Sequence, residues 1–171
     1  IVITTDTMKS KNLVSAFSTE SDVYFTSANI GNISETSKES LETVLKDYEN
    51  LFKNNGMPCI ARIELGFSKN IIFNGNTYNI RTLQGLNTNE SEYVYTDGIA
   101  PANDNEVAIT DIVSKKIGAK LGDKIIIEDS NGRKEFIVTA YFQSLNNMGG
   151  VIRITNDTPS SFKDLSSTGF F

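Results

Sequence analysis

From Asn105 to Ile127 the chain reads NEVAITDIVSKKIGAKLGDKIII. Three kinds of signal agree in this stretch. Val107 to Ile109 is a short apolar strand, and Thr110 or Asp111 follows as a helix N-cap. The helix carries Ile112, Val113 and Ile117 on one face, and Gly118 can close it. Gly122 suits a position of positive φ, while Asp123 can bond its own backbone two residues on. A β-branched strand, Lys124 to Ile127, comes next, and Asn131-Gly132 folds it back on Lys134 to Ala140 as a hairpin. The stretch therefore predicts strand, helix, Gly-Asp turn, hairpin.

Working outward toward the N-terminus, Gly85 to Asn105 is polar and turn-rich, with a short strand at Tyr93-Val94-Tyr95. Before it, Cys59 to Phe67, Asn70 to Phe73 and Thr77 to Leu83 are predicted as three strands, the last two joined at Asn74-Gly75. The clearest helix lies upstream. Thr36 and Glu39 are spaced as a capping box, and Leu41, Val44, Leu45, Tyr48, Leu51 and Phe52 then recur at helical spacing until Asn55-Gly56 and Pro58 stop it. Such a face must cover a sheet. Asp22 to Ile30 reads as a strand, and Asp6 or Thr7 can cap a helix running to about Phe17.

Toward the C-terminus, Tyr141-Phe142 ends the hairpin's return strand and Ser144 to Gly150 is a loop. Val151 to Thr155 is a further strand, and Thr158-Pro159 opens a short helix through Leu165. Ser166 to Phe171 ends on two phenylalanines, which suggests that the native chain continues or packs them elsewhere.

Gly98, Pro101, Glu106, Val107, Leu121, Gly122, Asp123, Ile125 to Ile127, Phe136 and Val138 stand in an order that resembles the extracytoplasmic domain of MacB/FtsX-like ABC-transporter permeases. The similar region covers about Gly98 to Ser144, roughly a quarter of the chain. The resemblance implies an α+β fold: a larger mixed-sheet lobe covered by helices, of the porter-like kind, interrupted by a small β-rich lobe. The larger lobe would be residues 1–86 plus 156–171 and the inserted lobe 87–155, with a hinge near Leu86 and Thr155. It also implies a non-catalytic role outside the bacterial cell membrane. The ATP-binding subunit of the same transporter would move flanking membrane helices, and this domain would carry that motion to a substrate for export or to an extracytoplasmic peptide, lipid or protein. A free-standing secreted or surface binding module is the alternative.

Composition limits what else the chain can do. At 171 residues it is long enough to bury about two-thirds of its unfolded surface. A net charge of −5 argues against nucleic acid and against a polybasic membrane patch. No stretch approaches the roughly 18 apolar residues of a membrane span, so flanking helices would lie outside this sequence. Beginning at Ile1 rather than methionine, the chain reads as processed or excised. Its one cysteine, Cys59, reads as a small core hydrophobe rather than a reactive thiol.

The chain has no histidine, which removes Ser-His-Asp, Cys-His and histidine-zinc designs. The Ser37-Lys38 and Ser114-Lys115 pairs read as exposed helix positions, not as a nucleophile with its base. Asp104, Glu106, Asp111 and Asp123 could supply paired carboxylates, but they stand at turns and caps and there is no tryptophan to stack on a sugar. Asp129-Ser130-Asn131-Gly132 is better explained as a hairpin turn than as part of a calcium loop. Gly149-Gly150 lacks the lysine and helix of a phosphate loop. The expectation is therefore no enzyme, no catalytic, cofactor or metal residues, and no cofactor. Tyr93, Tyr95, Tyr141, Phe142 and Met148 are either the core of the inserted lobe, which is favoured, or an exposed contact surface.

Overall fold

The computed structural model describes residues 37–56, 58, 60–88 and 93–170. The predicted helix from Asp6, the strand Asp22 to Ile30, and Cys59 lie outside these residues. Helix α1 spans Lys38–Asn54. Its capping box is Ser37 with Ser40: the Ser37 hydroxyl accepts from the Ser40 amide at 3.2 Å, and the Ser40 hydroxyl accepts from the Ser37 amide at 3.0 Å, while Thr36, the cap expected from sequence, lies outside the described residues. A serine at the third helical position closes the box as glutamate would, because its short side chain already reaches the cap amide.

Strands β1 (Ile63–Phe73) and β2 (Asn76–Leu86) form one long antiparallel hairpin, paired from Ile63↔Leu86 to Phe73↔Asn76. Asn74 (φ 49°) and Gly75 (φ 76°) make the turn, with both central residues left-handed as a two-residue hairpin loop requires. The expected break between Phe67 and Asn70 is absent. Ser68 and Lys69 keep strand geometry, and Lys69 fills an inward position with its charge matched by Asp129 at 2.9 Å.

The remaining elements are β3 (Val94–Gly98), β4 (Glu106–Ile109), α2 (Asp111–Ile117), β5 (Lys124–Asp129), β6 (Gly132–Gln143), β7 (Val151–Ile154) and β8 (Leu165–Phe170). The helix expected from Thr158 to Leu165 is a 3-10 turn at Phe162–Asp164, after which the chain extends and pairs with β1 as β8. Thr168 favours extended geometry, and pairing there satisfies backbone groups along the edge of β1 from Ile63 to Phe67 that a helix would have left open.

All eight strands belong to one mixed sheet, so the described residues form an α+β fold with two α-helices. Its order is β2-β7-β4-β6-β5-β1-β8, and the pairing of β1 with β2 closes six of these strands into a ring, with β3 added beside β6. Inward residues alternate along every strand of the ring: Ile71, Ile80, Val107, Ile109, Ile125, Ile127, Phe136, Val138, Ile152 and Ile154 fill it. Helix α2 adds Val113 and Ile117 to this core. A second core lies under α1, where Leu41 and Leu45 meet Ala61, Ile63, Leu65, Phe67 and Leu86. Of the predicted helix stripe, Leu41 and Leu45 are buried and Leu51 is 56% exposed. At about 1.5–3 kcal/mol per large buried side chain, Leu41 and Leu45 supply most of what holds α1 down. The hairpin belongs to both cores, through Ile63, Leu65 and Phe67 at one end and Ile71 and Ile80 at the other.

Candidate functional site

The residues of the strand–helix–turn–hairpin stretch, Gly122 and Asp123 of the sequence resemblance among them, do structural work. Thr110 caps α2 by accepting from the Val113 amide at 3.2 Å, and Gly118 ends it at φ 85°. Gly122 sits at φ 85°, and its amide donates to Val138 O at 2.8 Å, while Val138 N returns a bond to Asp123 O at 2.9 Å. The Leu-Gly-Asp turn is thus pinned to β6 from both directions. The Asp123 carboxylate accepts from the Lys120 amide, three residues back, at 2.8 Å rather than from a residue further on. Ile112, expected on the buried face of α2, is half exposed because the ring interior takes Val113 and Ile117 instead.

The acidic candidates do not converge. Glu106 accepts from the amides of Ala102 (2.8 Å) and Asn103 (3.1 Å) and from the Asn103 side chain (2.8 Å). The Ala102 amide and then the Asn103 side chain hold its pKa below the ordinary carboxylate range. Asp104 pairs with Lys134 at 2.7 Å, and Asp111 lies in the first turn of α2, where a negative charge suits the helix dipole. Ser37 is a cap, and Ser114 donates to Ala119 O at 2.7 Å, so each of these serines has a structural partner other than its neighbouring lysine. Asp129 serves the hairpin turn by accepting from the Asn131 amide at 2.8 Å. Among the described residues no group of three acidic or cysteine side chains is placed to hold a metal ion.

Two buried polar clusters instead stand out, and both fasten the β1/β2 hairpin to later parts of the chain. In the first, Lys69 is 2% exposed and its ammonium donates to Asp129 Oδ2 and to Ser160 Oγ, each at 2.9 Å. Asp164 reinforces the same corner by accepting from the Ser130 amide and hydroxyl at 2.8 and 2.7 Å. In the second, Arg153 is fully buried, its guanidinium lies 3.7 Å from the Tyr93 ring centre, and its Nη1 donates to the Tyr95 hydroxyl at 2.9 Å. Arg81 bonds the Ser167 hydroxyl and lies over Gly66, where a Cβ would collide with the guanidinium. The partly buried Glu64 carboxylate sits among these groups and accepts from Asn146 Nδ2 at 3.0 Å. Burial pushes its pKa up, against the pull of Asn146, Arg153 and Arg81. Tyr93 is likewise raised, first by burial.

Phe142 is 2% exposed, and Tyr95 packs on the small cluster of Leu83, Ala108, Ala140, Phe142 and Val151. These aromatics are core, whereas Met148 is 88% exposed.

Lys69, Glu64 and Arg153 were not singled out from sequence. The available signal was register: Lys69 falls between Phe67 and Ile71 on the inward face, and Arg153 stands between Ile152 and Ile154 in an otherwise apolar strand. A third fastening is neutral. The Gln84 amide donates to the carbonyls of Thr155, Asn156 and Thr158 at 2.9, 3.1 and 2.6 Å, tying the end of β2 to the segment after β7.

No protein-family profile and no curated protein matches the chain. Solved structures similar to it are periplasmic or extracellular domains of MacB-like and related ABC-transporter permeases. A domain of a protein described as a permease from Porphyromonas gingivalis is 14% identical, with a TM-score of 0.48 over 66% of this chain and 59% of that one. The periplasmic region of MacB from Actinobacillus actinomycetemcomitans is 10% identical, with a TM-score of 0.48 over 73% and 62%. The extracellular domain of the noncanonic ABC-type transporter YknZ from Gram-positive bacteria is 11% identical, with a TM-score of 0.47 over 65% and 63%. The chain thus spans about three-fifths of these domains. No described helix is long and apolar enough to cross a membrane.

Proposed function

We propose that this chain is a non-catalytic extracytoplasmic domain of a bacterial ABC-transporter permease, anchored by membrane helices outside the present sequence. In this reading the ATP-binding subunit of the transporter drives the anchors, and the domain carries their motion to an exported substrate or to an extracytoplasmic peptide, lipid or protein. The observation that supports it best is the β1/β2 hairpin. Eleven-residue strands run from the core under α1 into the ring, about 33 Å at the usual rise per residue. Pairing along the whole length makes the hairpin stiff, and the Lys69 and Gln84 fastenings join it to the return segment, so displacement at one core is transmitted to the other.

The larger, porter-like lobe of residues 1–86 and 156–171 and the inserted lobe of 87–155 belong to this proposal. The ring takes β1 and β2 from the first and β4 to β7 from the second, which suits transmission of force better than free articulation. The resemblance-bearing Gly122 and Asp123, like the cap Thr110 and the stop Gly118 beside them, add support, because each is used to build the strand–helix–turn–hairpin unit rather than to present a reactive group.

The test is to express the full-length protein from its parent gene and fractionate the cells. Extraction only by detergent, with the domain cleaved by protease added outside the cell and with an ATP-binding subunit co-purifying, is the expected result. A product released soluble after cleavage of a signal, with no flanking apolar segments, would overturn the proposal and leave the secreted binding module in its place.

A further inference from the structure

Residues 144–150 connect β6 to β7 and lie against the start of α2 and the outer face of the hairpin. Two consecutive non-glycine residues in this loop, Asn147 (φ 49°) and Met148 (φ 52°), are left-handed, a conformation side chains adopt only at a cost. Met148, at 88% exposure, gains little packing in return. The loop is held by polar ties instead. The Thr110 hydroxyl donates to Gly149 O, and Asn147 Nδ2 donates to Gly150 O at 3.1 Å. The tie that reaches furthest is Asn146 Nδ2 to Glu64 Oε1, 82 residues away in sequence. Closure of the loop therefore accompanies two unfavourable conditions at once, a strained backbone and a partly buried carboxylate.

We propose that residues 144–150 are a latch on the β1/β2 hairpin, closed on the partly buried Glu64 with Asn146 as its catch, and that the latch opens to expose the carboxylate fully to water. Opening relieves both costs, and the Asn146 and Thr110 bonds oppose it. The linkage to pH follows from burial. Enclosure raises the Glu64 pKa in the closed state, and exposure returns it to the ordinary range of about 4.3. The closed state therefore binds the proton more tightly: acid closes the latch, and rising pH favours opening. The opening constant should climb by at most about tenfold per pH unit between the ordinary value and the raised one, then level off.

Among the described residues, the charged and titratable groups facing Glu64 are Arg81 on β2, Arg153 on β7 and Tyr93 ahead of β3. The two arginines limit how far the pKa rises. The Tyr93 hydroxyl, itself raised by burial, stays neutral through this range. Strand β8 contributes the uncharged Ser167, and the loop the uncharged Asn146.

Amide hydrogen exchange on the intact protein, followed by mass spectrometry from acid to neutral pH and corrected for intrinsic rates, reads the opening of 144–150 directly. Protection of the β1/β2 amides serves as the control for global folding. In the wild type, loop protection should fall as pH rises and then plateau. Glu64→Gln, which stays neutral, should abolish this slope, and Asn146→Ala should lower protection at every pH while β1 and β2 stay protected. A Glu64→Gln protein with the wild-type slope, or a wild type with no slope, would overturn the proposal. Should Glu64→Gln loosen β1, Asn146→Ala decides alone, and unchanged loop protection in that variant also overturns it.

Discussion

Lys69→Met is the sharpest perturbation of the seam between the two cores. Methionine keeps the unbranched stem along the ring interior and beside the Phe67 face, which the ammonium meets at 5.2 Å, but removes the charge. Asp129, only 10% exposed, then loses its counter-ion, and Ser160 loses its donor. Removing one partner of a buried pair costs about 3–5 kcal/mol, because the remaining charge is neither solvated nor matched. Asp129 Oδ1 still accepts from the Asn131 amide, which places the expected cost near the lower end, about 3 kcal/mol. For a chain of this size each kcal/mol is worth about 3 °C, so the melting temperature should fall by about 9 °C.

Thermal and urea melts of Lys69→Met, Asp129→Asn and the double variant complete a cycle. Asparagine at 129 keeps an acceptor for Asn131 while losing its charge, so the double variant should recover more than half of what Lys69→Met loses. A Lys69→Met protein melting within about 3 °C of wild type, or a double variant whose loss is the plain sum of the singles, would refute the claim that a matched buried charge fastens the hairpin there.

Gly98→Ala should destabilise by about 2–4 kcal/mol, since φ 80° is strained for alanine and its Cβ would run into the Thr139 carbonyl and the Ala140 Cα, backbone atoms of β6 that cannot swing away. Gly122→Val should cost only the left-handed backbone term, about 1–2 kcal/mol, because nothing lies within 4 Å of a Cβ there. Urea denaturation of both variants checks the order, and a larger loss at Gly122 would contradict it. Glu106→Gln should narrow its stability deficit as pH falls. The Glu106 pKa is depressed in the fold, so its contribution is present above the unfolded value and is lost as pH drops through the folded one. Melting temperatures of wild type and variant at neutral pH and near pH 3 test this, and a gap that widens in acid would reverse the sign.

The strand–helix–turn–hairpin unit was legible because each of its boundaries is set by local chemistry. Thr110, Gly118 and Gly122 occupy the cap and positive-φ positions that their residue types favour, and Asn74-Gly75 closes the long hairpin. Errors arose where long-range contacts override local preference. Ser68-Lys69 looked like a break because a lysine in an apolar strand is unfavourable by itself, and only Asp129, 60 residues away, makes the position tolerable. Residues 165–170 were not read as a strand, because they took their form from the edge of β1, about 100 residues back in the chain. The Glu64 cluster was invisible for the same reason. Its members come from β1, β2, β7, the approach to β3 and a loop, and no local spacing unites them.

The closed ring bears on how such a domain could transmit force. A barrel of six strands has no free edge along which strands can peel apart one at a time, so deformation inside it is costly. Compliance must then lie at the ring's attachments, where backbone bonds are few and polar ties do the holding. Among the described residues, the attachments of this kind that meet the hairpin include three that join it to later loops and turns: Lys69 with Asp129 and Ser160, Gln84 with the carbonyls after β7, and Glu64 with Asn146. The first two join buried groups whose separation would leave a charge or several carbonyls unmatched, and they should hold under load. The third joins a carboxylate that gains by exposure to a loop that gains by relaxing its backbone. Of the three, it is the one able to yield without unfolding either core, so a movement reaching the ring through β1 and β2 should be felt first at residues 144–150.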